Sequence, residues 1–473
     1  MFKATFSSLC NDDTLRIDCK FNKLMDLSGY DIFDSKRSNL VRLKEILIPY
    51  YKLFEFEENR LYQGVPTGKE YTNEFGDITT TQLITKEDRP NRLKYHADQE
   101  CILISSLKGA RAPALMFDFD LAEYVFSNGF YIFKVAKNWN QEFVLYMLRT
   151  KRLKSILDKH IYRGIGISSY KEVDLLNLSV PHIDRLHQNE AIEKIKPIKA
   201  QILELKNKKK STAEILNEVF SEYFNISLEA VNELDKERVI VSAFNKIGFN
   251  NAGIRSSFRW NKLQEIQEFI YKDIDCIETL GRFIISTKNG WSPVSVESGD
   301  GIGVLGQEHF SLNGTLNLMP AKFTEITRKN ISDFFIQKED FFVSRGNTVD
   351  LVALASIVET DVDENLIFPD LYIKVVFDES KVNKKYLAYL FNSFFGRLYF
   401  KYVAKGKNQT MVKVSATELN NFRLPIPGIE AQEFIVNRIN EVIEAQEAID
   451  EEIKLLQIKI DSIIETVINS HQE

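Results

Sequence analysis

The sequence predicts an α+β fold in which two similar domains are each followed by a long helix. The prediction depends on two patterns. Six landmarks occur twice along the chain in the same order, and the C-terminal region carries a heptad repeat of apolar residues. The composition agrees with this prediction, because 473 residues that are 44% hydrophobic and 27% charged can form two or three globular domains.

The internal repeat has a period of about half the chain, and the offset between matching landmarks drifts only from about 239 to 246 residues. The landmarks are strand-like apolar runs, a helix-like stretch, a basic segment with glycine, and an end that contains proline. The matching pairs are Arg16–Leu24 with Arg255–Leu263, Glu100–Gly109 with Glu339–Gly346, Gly129–Val135 with Asp370–Val376, Val144–Leu157 with Leu387–Phe400, Tyr162–Ser169 with Ala404–Ser415, and Glu172–Pro181 with Glu418–Pro427. Six matches in one order at a nearly constant offset predict two domains of the same fold.

A long amphipathic helix is predicted after each copy of the repeat. In the C-terminal one, apolar residues follow alternating steps of four and three, interrupted only by Gln446, which indicates a coiled-coil seam. The seam residues are Ile435, Ile439, Val442, Ile449, Ile453, Leu456, Ile460, Ile463 and Val467. A helix of ~40 residues would be ~60 Å long.

The central helix is predicted over about 189–220 with a less regular stripe, and Pro197 is expected to begin or kink it. If the central and C-terminal helices pack antiparallel, both bury their apolar stripes. We therefore expect a rigid coiled-coil spacer that holds the two domains at opposite ends, related by an approximate twofold axis.

Charge, cysteine content and hydropathy limit the class of protein. The net charge of -6 and the pI near 5.8 count against a protein that coats nucleic acid without regard to sequence, but they allow local basic surfaces. The cysteines are Cys10, Cys19, Cys101 and Cys276, and their spacing indicates neither a disulfide framework nor a zinc site. No apolar run reaches the ~18 residues of a membrane span, so we expect a cytoplasmic protein.

Two kinds of basic segment are candidates for contact with DNA. Lys405–Ser415 mixes lysines, which can hold phosphates, with amides, which can recognise bases, and Arg163-Gly164 is its counterpart in the first copy. Strand-like runs end in Arg345-Gly346-Asn347 and in Lys108-Gly109-Ala110-Arg111, where glycine permits a tight turn. The alternative interpretations are a solvated loop and an ordinary hairpin turn. The predicted DNA-binding residues are Lys108, Arg111, Arg163, Arg345, Asn347, Lys405, Lys407, Asn408 and Gln409. The lysine cluster at 206–210 is interpreted as a solvated helix face.

Motifs for catalysis are weak or absent. Gly301-x-Gly303-x-x-Gly306 matches a dinucleotide fingerprint, but the following residues do not suit a helix, so a glycine-rich loop is predicted. Asp370, Glu379 and Lys381 resemble a metal-dependent nuclease signature, yet the first copy has no equivalent set. The sequence contains no methyltransferase tetrapeptide N-P-P-[YF] and no P-loop. We therefore expect a non-catalytic chain with no metal site.

Four segments resemble the specificity subunits of Type I restriction-modification systems. Leu424–Ile439, LPIPGIEAQEFIVNRI, is similar to the family's exit from a target-recognition domain, with Glu-x-Gln and the start of a conserved helix. Leu178–Ile195 is similar to a second copy that lacks the first proline. Gly281–Pro293 resembles the start of the second recognition domain, and Phe341–Asn347 resembles an internal strand-turn motif. The resemblance covers nearly the whole chain.

The resemblance implies a subunit that recognises a bipartite target in double-stranded DNA, one half with each target-recognition domain. The helical spacer would set the gap between the halves, as protein geometry sets half-site spacing in other two-headed DNA-binding proteins. The implied partners are two methyltransferase subunits and motor-nuclease subunits of a phage-defence complex. S-adenosylmethionine, ATP and Mg²⁺ would be bound by those partners, and no cofactor is expected in this chain.

The boundaries predicted in this way are 1–186 for the first target-recognition domain, 187–225 for the central helix, 226–428 for the second domain and 429–473 for the C-terminal helix. Two other functions stay open. One is a metal-dependent nuclease that uses Asp370, Glu379 and Lys381. The other is an assembly scaffold whose domains do not recognise DNA.

Overall fold

The chain forms two compact units that each combine helices with mainly antiparallel sheets, as the predicted mixed fold requires. A computed structural model describes residues 10–11, 14–15, 39–73, 75–107, 112–156, 169–240, 257–297, 301–320, 322–326, 330–362, 365–408 and 411–470. Unit 1 comprises Met1–Lys208 together with Asp450–Glu473, and unit 2 comprises Lys209–Ile449.

In unit 1 most strands precede the longer helices along the chain. Its strands are β1 (Cys10–Asn11), β2 (Thr14–Leu15), β3 (Leu40–Arg42), β4 (Leu47–Pro49), β5 (Lys52–Leu53), β6 (Tyr62–Val65), β7 (Gln82–Ile84), β8 (Leu93–His96), β9 (Cys101–Ser105), β10 (Ala114–Leu115), β11 (Tyr124–Ser127), β12 (Phe130–Val135) and β13 (Ser179–Pro181). Its helices are α1 (Leu43–Ile46), α2 (Gln141–Arg149), α3 (Lys151–Ile156), α4 (Glu172–Leu176) and α5 (Arg185–Lys208).

Unit 2 begins with helices and then follows a similar order of strands. Its helices are α6 (Thr212–Tyr223), α7 (Leu228–Lys236), α8 (Phe258–Ile270), α9 (Lys384–Asn392), α10 (Phe394–Val403), α11 (Ala416–Asn420) and α12 (Ile429–Ser470), of which the part from Asp450 onwards belongs to unit 1. Its strands are β14 (Ile277–Thr279), β15 (Ile284–Asn289), β16 (Ile302–Val304), β17 (Lys322–Thr324), β18 (Phe341–Ser344), β19 (Gly346–Asn347), β20 (Ala355–Ile357), β21 (Leu366–Ile367), β22 (Tyr372–Phe377), β23 (Lys405–Asn408), β24 (Met411–Lys413) and β25 (Arg423–Pro425). Short 3₁₀ turns occur at Leu280–Arg282, Gln307–His309 and Ile331–Phe334.

Both units contain the same four-stranded antiparallel sheet. The strand order is β10-β9-β12-β4 in unit 1 and β20-β18-β22-β15 in unit 2. The inner strands β9 and β18 are buried along their whole length, as the continuous apolar runs of the sequence require. Phe133 pairs with Ile102 in the first sheet, and Val375 pairs with Phe341 at the same position of the second.

Two smaller sheets are also repeated. In unit 1, β6 runs parallel to β11 and antiparallel to β7, and in unit 2 β16 runs parallel to β21 and antiparallel to β17. A two-stranded ribbon, β3 with β13 or β14 with β25, joins the beginning of each sheet region to its end. Over the described residues the two units therefore share the topology of these three sheets, and in unit 1 β5 and β8 extend the smaller sheet.

Polar side chains position the helices that follow the main sheet in the same way in both units. The side-chain oxygen of Asn140 caps α2 and that of Asn383 caps α9, which satisfies N–H groups that a helix start leaves without partners. At the next bend, the hydroxyls of Thr150 and Ser393 each donate to a carbonyl three residues earlier, at 2.9 and 2.8 Å.

The pairing of the last strand in each unit shows which residues of the last repeated segment are equivalent. Ser179 of β13 pairs with Arg42, and Arg423 of β25 pairs with Thr279, each partner lying directly before a short helical turn. Ser179 therefore corresponds to Arg423. The predicted match of Glu172–Pro181 with Glu418–Pro427 is two residues out of register. It depends on similar apolar residues, whereas the strand pairing defines the equivalent positions.

The corrected register also changes which proline the first copy lacks. Pro181 occupies the position of Pro425, and the position of Pro427 holds Ile183. The first copy therefore retains the first proline and lacks the second, the opposite of the predicted arrangement.

The central helical region consists of two helices instead of one. Helix α5 ends at Lys208 and α6 begins after Ser211, whose hydroxyl accepts the backbone N–H of Glu214. The Glu214 carboxylate in turn accepts the backbone N–H of Ser211 at 2.7 Å, so a capping box begins the second helix. The single helix predicted over about 189–220 is wrong for this reason. Pro197 lies inside α5 and does not begin it.

The C-terminal helix is continuous over Ile429–Ser470, as the heptad pattern predicts, but its buried stripe changes position near the end. Ile453 and Ile460 are buried where the pattern places them. Further along, Ile464 and Ile468 are fully buried, whereas the predicted Ile463 and Val467 are only partly covered. An α-helix has 3.6 residues per turn and drifts against a strict 3.5-residue repeat, which explains the shift by one residue.

Helix α6 is part of the core of unit 2. Leu216 and Phe220 are fully buried, and the Phe220 ring lies 5.8 Å from that of Tyr386 and 6.0 Å from that of Phe395. Ile435 and Ile439 of α12 belong to the same core. The sheet, α6, α9, α10 and the start of α12 thus form one packed body within unit 2.

Candidate nucleic-acid interface

Three short strands of unit 2 carry several of the predicted DNA-binding residues on one small sheet. We call it the basic hairpin sheet: Gly346–Asn347, Lys405–Asn408 and Met411–Lys413, in the order β19-β24-β23. The segment Lys405–Ser415, predicted as a loop, is therefore largely β-structure. Val412 is buried between the exposed side chains of Met411 and Lys413, which is the alternation that a strand imposes.

A β-bulge shapes the basic hairpin sheet. The pairing register shifts between Lys405 and Asn408, and Gly406 lies within the irregular stretch. A Cβ atom at Gly406 would lie 2.6 Å from the carbonyl oxygen of Met411, so only glycine permits this close approach of β23 and β24. Bulges change the direction of neighbouring side chains and are common next to functional sites.

Arg345 is held at the edge of this sheet by its backbone and by one carbonyl. Its backbone carbonyl accepts the N–H of Val414 at 2.8 Å, and its guanidinium donates to the Asp370 carbonyl at 3.2 Å. A carbonyl orients a guanidinium without neutralising its charge, so the group can still bind a phosphate or the edge of a guanine. Asn347 lies beside it and accepts the backbone N–H of Thr348 through its side-chain oxygen, a bond that does not use the amide NH₂ group.

Lys405 has a structural partner as well as exposure to solvent. Its ammonium pairs with Glu418 at 2.6 Å, and the lysine side chain is 75% exposed whereas the Glu418 side chain is 9% exposed. Burial by itself would raise the pKa of Glu418, but the hydrogen bonds from Lys405 and Ser415 outweigh it, so the pKa lies below the usual value. A DNA phosphate at Lys405 would have to share the ammonium with this carboxylate.

The counterpart of Arg345 in unit 1 is not the predicted lysine. The Ser106 carbonyl accepts the N–H of Tyr170 as the Arg345 carbonyl accepts that of Val414, so Ser106 occupies the position of Arg345. The basic-glycine pairs at Lys108-Gly109 and Arg345-Gly346 are therefore not equivalent in register. The apolar residues at the ends of the two strands are similar and do not reveal this difference in register.

The other predicted DNA-binding residues lie wholly or partly outside the described residues. Lys108, Arg111, Arg163 and Gln409 lie outside them altogether. Lys407 and Asn408 lie in strand β23, of which the structure describes only the backbone at these two positions. Lys413 was not predicted and is exposed on the same strand face as Met411. Its signal in the sequence is the alternation of lysine with valine from Val412 to Val414.

Lysines of the 206–210 cluster form ion pairs with carboxylates. Lys206 pairs with Asp77, and its ammonium lies 4.7 Å from the centre of the Phe75 ring. Lys208 pairs with Glu204 at 2.6 Å, and Lys210 pairs with Glu218 at 2.5 Å. Lys206 and Lys208 lie on α5 and Lys210 follows its end, and all three ammonium groups are engaged in ion pairs.

The two carboxylates of the alternative nuclease site lie beyond opposite ends of β22. The strand spans Tyr372–Phe377, and five steps of about 3.3 Å separate its first and last residues by about 16 Å. Asp370 precedes the strand and Glu379 follows it. A shared metal ion requires ligand oxygens within a few ångströms of one centre. The structure therefore does not bring Asp370 and Glu379 together as the alternative nuclease hypothesis requires.

The side chains of this alternative nuclease site also have separate partners. The hydroxyl of Ser292 donates to Asp370 at 2.5 Å, and Glu379 pairs with Lys384 at 3.1 Å. Lys381 pairs with Asp378 at 3.0 Å. Within the described part of the chain, no three His, Cys, Asp or Glu side chains come together as a metal site would require. In the same part, no helix has the combined length and apolarity of a membrane span.

The glycine fingerprint is part of a strand. Ile302–Val304 forms β16, and the 3₁₀ turn Gln307–His309 follows it where a dinucleotide site needs a helix. The predicted glycine-rich loop is thus a strand at Gly303. A Cβ there would lie 2.9 Å from the Pro320 ring and 3.0 Å from Leu366, so the packing of the small sheet explains the glycine.

Two buried glutamines join the long helices to the domains, and the sequence did not reveal their role. Gln188 of α5 accepts the backbone N–H of Asn140 at 2.5 Å and donates to the Ile183 carbonyl at 2.7 Å. Gln432 of α12 accepts the backbone N–H of Asn383 at 2.8 Å and donates to the Pro427 carbonyl at 2.8 Å. Both side chains are fully buried. Each glutamine fixes the start of its helix against the cap of the first helix after the sheet.

Comparisons with known proteins give matches only among solved structures. Neither a protein-family model nor a curated protein sequence matches the chain. The HsdS subunit from Thermoanaerobacter tengcongensis is 14% identical, with 91% of this chain and 96% of that chain covered and a TM-score of 0.33. The Type I restriction-modification system S subunit from M. genitalium is 12% identical, with 90% and 95% covered and a TM-score of 0.35.

A third match comes from a structural study of complex assembly and conformational transition of the type I R-M system. It is 13% identical, with 92% of this chain and 97% of that chain covered and a TM-score of 0.41. All three neighbours come from Type I restriction-modification systems, which the sequence motifs also resemble. At TM-scores below 0.5 this likeness carries no argument for the fold, which depends here on the elements described above.

Proposed function

We propose that the chain is the DNA-specificity subunit of a Type I restriction-modification complex. In this role it recognises a bipartite target and directs adenine methylation and restriction by its partner subunits. The observation that carries the proposal is the duplicated topology: each unit has the same three sheets and the same glutamine anchor to a long helix. Two similar domains on one chain suit a target of two halves.

The basic hairpin sheet is the proposed DNA contact of unit 2. Arg345, Lys405 and Lys413 offer positive charge for phosphates, and Asn347 offers an amide for a base edge. Lys407, Asn408 and Gln409 are proposed to complete this surface. In unit 1 the proposed contacts are Lys108, Arg111 and Arg163. Sequence would then be recognised by amides and guanidiniums, while lysines hold the backbone.

The long helices are proposed to pack antiparallel as the spacer between half-sites. Within unit 1, Gln201 of α5 donates to Glu452 of α12 at 2.9 Å. Within unit 2, the backbone N–H of Lys210 donates to the Gln446 side chain at 2.8 Å. Both contacts support a helix pair, and Gln446 is the polar residue that interrupts the heptad seam, a position at which such residues can fix register.

The proposal assigns all chemistry to partner subunits. Two methyltransferase subunits would bind S-adenosylmethionine and methylate adenine N6, and motor-nuclease subunits would use ATP and Mg²⁺ in phage defence. This chain would bind no cofactor and would act in the cytoplasm on double-stranded DNA. The second candidate, a scaffold that does not recognise DNA, shares the helices but not the need for a basic sheet.

The first test is a map of N6-methyladenine across the host genome with the gene intact, deleted and restored. We expect one split motif, two short halves around a fixed gap, to lose methylation on deletion and to regain it on restoration. A restored gene that carries Lys338→Ala, an exposed residue paired with Asp361, serves as the matched control and should restore methylation fully. An unchanged methylation map, in a host that expresses the partner methyltransferase, would reject the proposal.

A further inference from the structure

Unit 2 contains a cavity of about 880 Å³ that shares only Lys405 and Gly406 with the basic hairpin sheet. It is lined by residues of α8, α10, α11 and the first part of β23, so it adjoins the basic hairpin sheet. Sites for small molecules and cofactors have volumes of about 300–1,000 Å³. The cavity is therefore large enough for a ligand the size of a nucleotide.

The charges around the cavity favour an anion. Arg259, Lys405 and Arg423 line it, against the single carboxylate of Glu418. The guanidinium of Arg259 donates to the carbonyl of Lys401, and that of Arg423 lies 5.9 Å from the centre of the Tyr271 ring. Neither of these contacts neutralises an arginine. Two guanidiniums can bind one phosphate group through paired hydrogen bonds, so the lining suits a phosphate better than a cation.

The aromatic lining suits a planar ring. Trp260, Tyr399 and Tyr402 all border the cavity. The hydroxyl of Tyr399 donates to the Glu418 carbonyl at 2.8 Å and that of Tyr402 donates to Asp235 at 2.7 Å, so hydrogen bonds hold both rings in place. Fixed aromatic rings beside positive charge are the groups on which nucleotide bases stack.

A buried amide adds a polar group to the same wall. Gln267 lines the cavity and is 7% exposed. Its side-chain nitrogen has no partner in hydrogen-bond geometry, although the hydroxyl of Tyr271 is near enough to interact with it. A donor without a well-formed hydrogen bond in the protein interior carries an energetic cost. A bound molecule with acceptor atoms would remove this cost.

We propose that this cavity binds a nucleotide, with its phosphate on Arg259 and Arg423 and its base against Trp260 and Tyr402. The inference goes beyond sequence recognition and does not depend on it, because none of these four residues belongs to the proposed DNA contacts. The nucleotide comes either from solution or from a DNA strand, and the chemistry of recognition is the same in both cases.

The test is calorimetric titration of the full chain with AMP, with adenosine and with a short single-stranded oligonucleotide. We expect saturable binding of AMP and at least tenfold weaker binding of adenosine, which lacks the phosphate. Arg259→Ala and Arg423→Ala should each weaken AMP binding at least tenfold. The control variant Lys338→Ala, in the same unit but outside the cavity, should bind AMP as the unaltered protein does.

The same titrations distinguish the two sources of the nucleotide. Binding of the oligonucleotide but not of AMP, weakened by Arg259→Ala and Arg423→Ala, would assign the cavity to a nucleotide of DNA. No saturable binding of either probe, or binding that both arginine variants leave unchanged, would overturn the inference. These results do not bear on the methylation map, so failure of this inference and failure of the proposed function are distinguishable.

Discussion

Gln188 and Gln432 show how one buried side chain can join a helix to a domain. Each carries an acceptor and a donor, and each uses both on backbone groups of its own unit. The corresponding bonds recur although the surrounding sequences, HQNE and AQEF, have little in common. We infer that the repeat preserves the glutamine and its two hydrogen bonds more faithfully than the residues beside it.

Replacement of Gln432 by leucine tests this role, since leucine fills similar volume without hydrogen bonds. The backbone N–H of Asn383 and the carbonyl of Pro427 would lose their partner, which should cost about 2 kcal/mol or more. Urea denaturation followed by circular dichroism should show the loss in the transition of unit 2. Gln201→Leu, which removes only an exposed bond to Glu452, should change stability by less than about 0.5 kcal/mol. Equal effects of the two substitutions would contradict the assigned role.

At single residues, the sequence predicted one pair of neighbours correctly but not the strand register. It identified Arg345 and Asn347, which do lie together at the edge of a small sheet. It paired Arg345 with Lys108, whereas strand register places Ser106 at the equivalent position. It also omitted Lys413. Register depends on which backbone groups pair across strands, and a short basic segment contains too little apolar pattern to specify it.

At the scale of elements, the C-terminal helix shows what a heptad pattern can and cannot specify. The pattern predicted the length and the burial of Ile435, Ile439, Ile453 and Ile460, whereas Val442, Ile449 and Leu456 are only half-buried. Beyond Ile460 the buried positions are Ile464 and Ile468, one step later than predicted. Consecutive isoleucines at 463 and 464 leave the seam ambiguous in sequence, and the packing of the helix decides between them.

The two isoleucines provide a matched pair of substitutions. Ile464→Ala removes a fully buried side chain and should cost about 3 kcal/mol, which lowers the unfolding midpoint of a unit of this size by roughly 5–10 °C. Ile463→Ala removes a partly exposed side chain and should shift the midpoint by roughly 1–3 °C. Thermal unfolding followed by circular dichroism measures both. A larger shift for Ile463→Ala than for Ile464→Ala would show that Ile463 is the buried residue, as the strict heptad pattern predicts.

The break in the central helix could have been predicted from Ser211 and Glu214, which match the sequence pattern of a capping box. The apolar stripe continued through this point and favoured a single helix. Strand β23 was missed for a related reason, because lysines, glycine and asparagine are typical of loops. In both places polar residues determine the local structure, and the pattern of apolar residues along the chain does not reveal it.

At the scale of the whole molecule, the repeat predicted two units of one topology from landmarks that are individually weak. Sheet order, strand direction and the position of both long helices agree between the units. The corrected offset at the last strand is 244 residues, within the predicted range. Under the proposed function, the DNA target would depend on the geometry of a few side chains at the ends of short strands, which the sequence does not specify.

The central claim is that each unit recognises one half of a split DNA target. The most direct measurement is the N6-methyladenine map of a host in which Lys405–Ser415 is replaced by the equivalent segment of a homologue with another target. The account predicts that one half of the methylated motif changes, while the other half and the gap stay as they were. A motif in which both halves change together, or in which neither changes, would contradict the division of recognition between the two units.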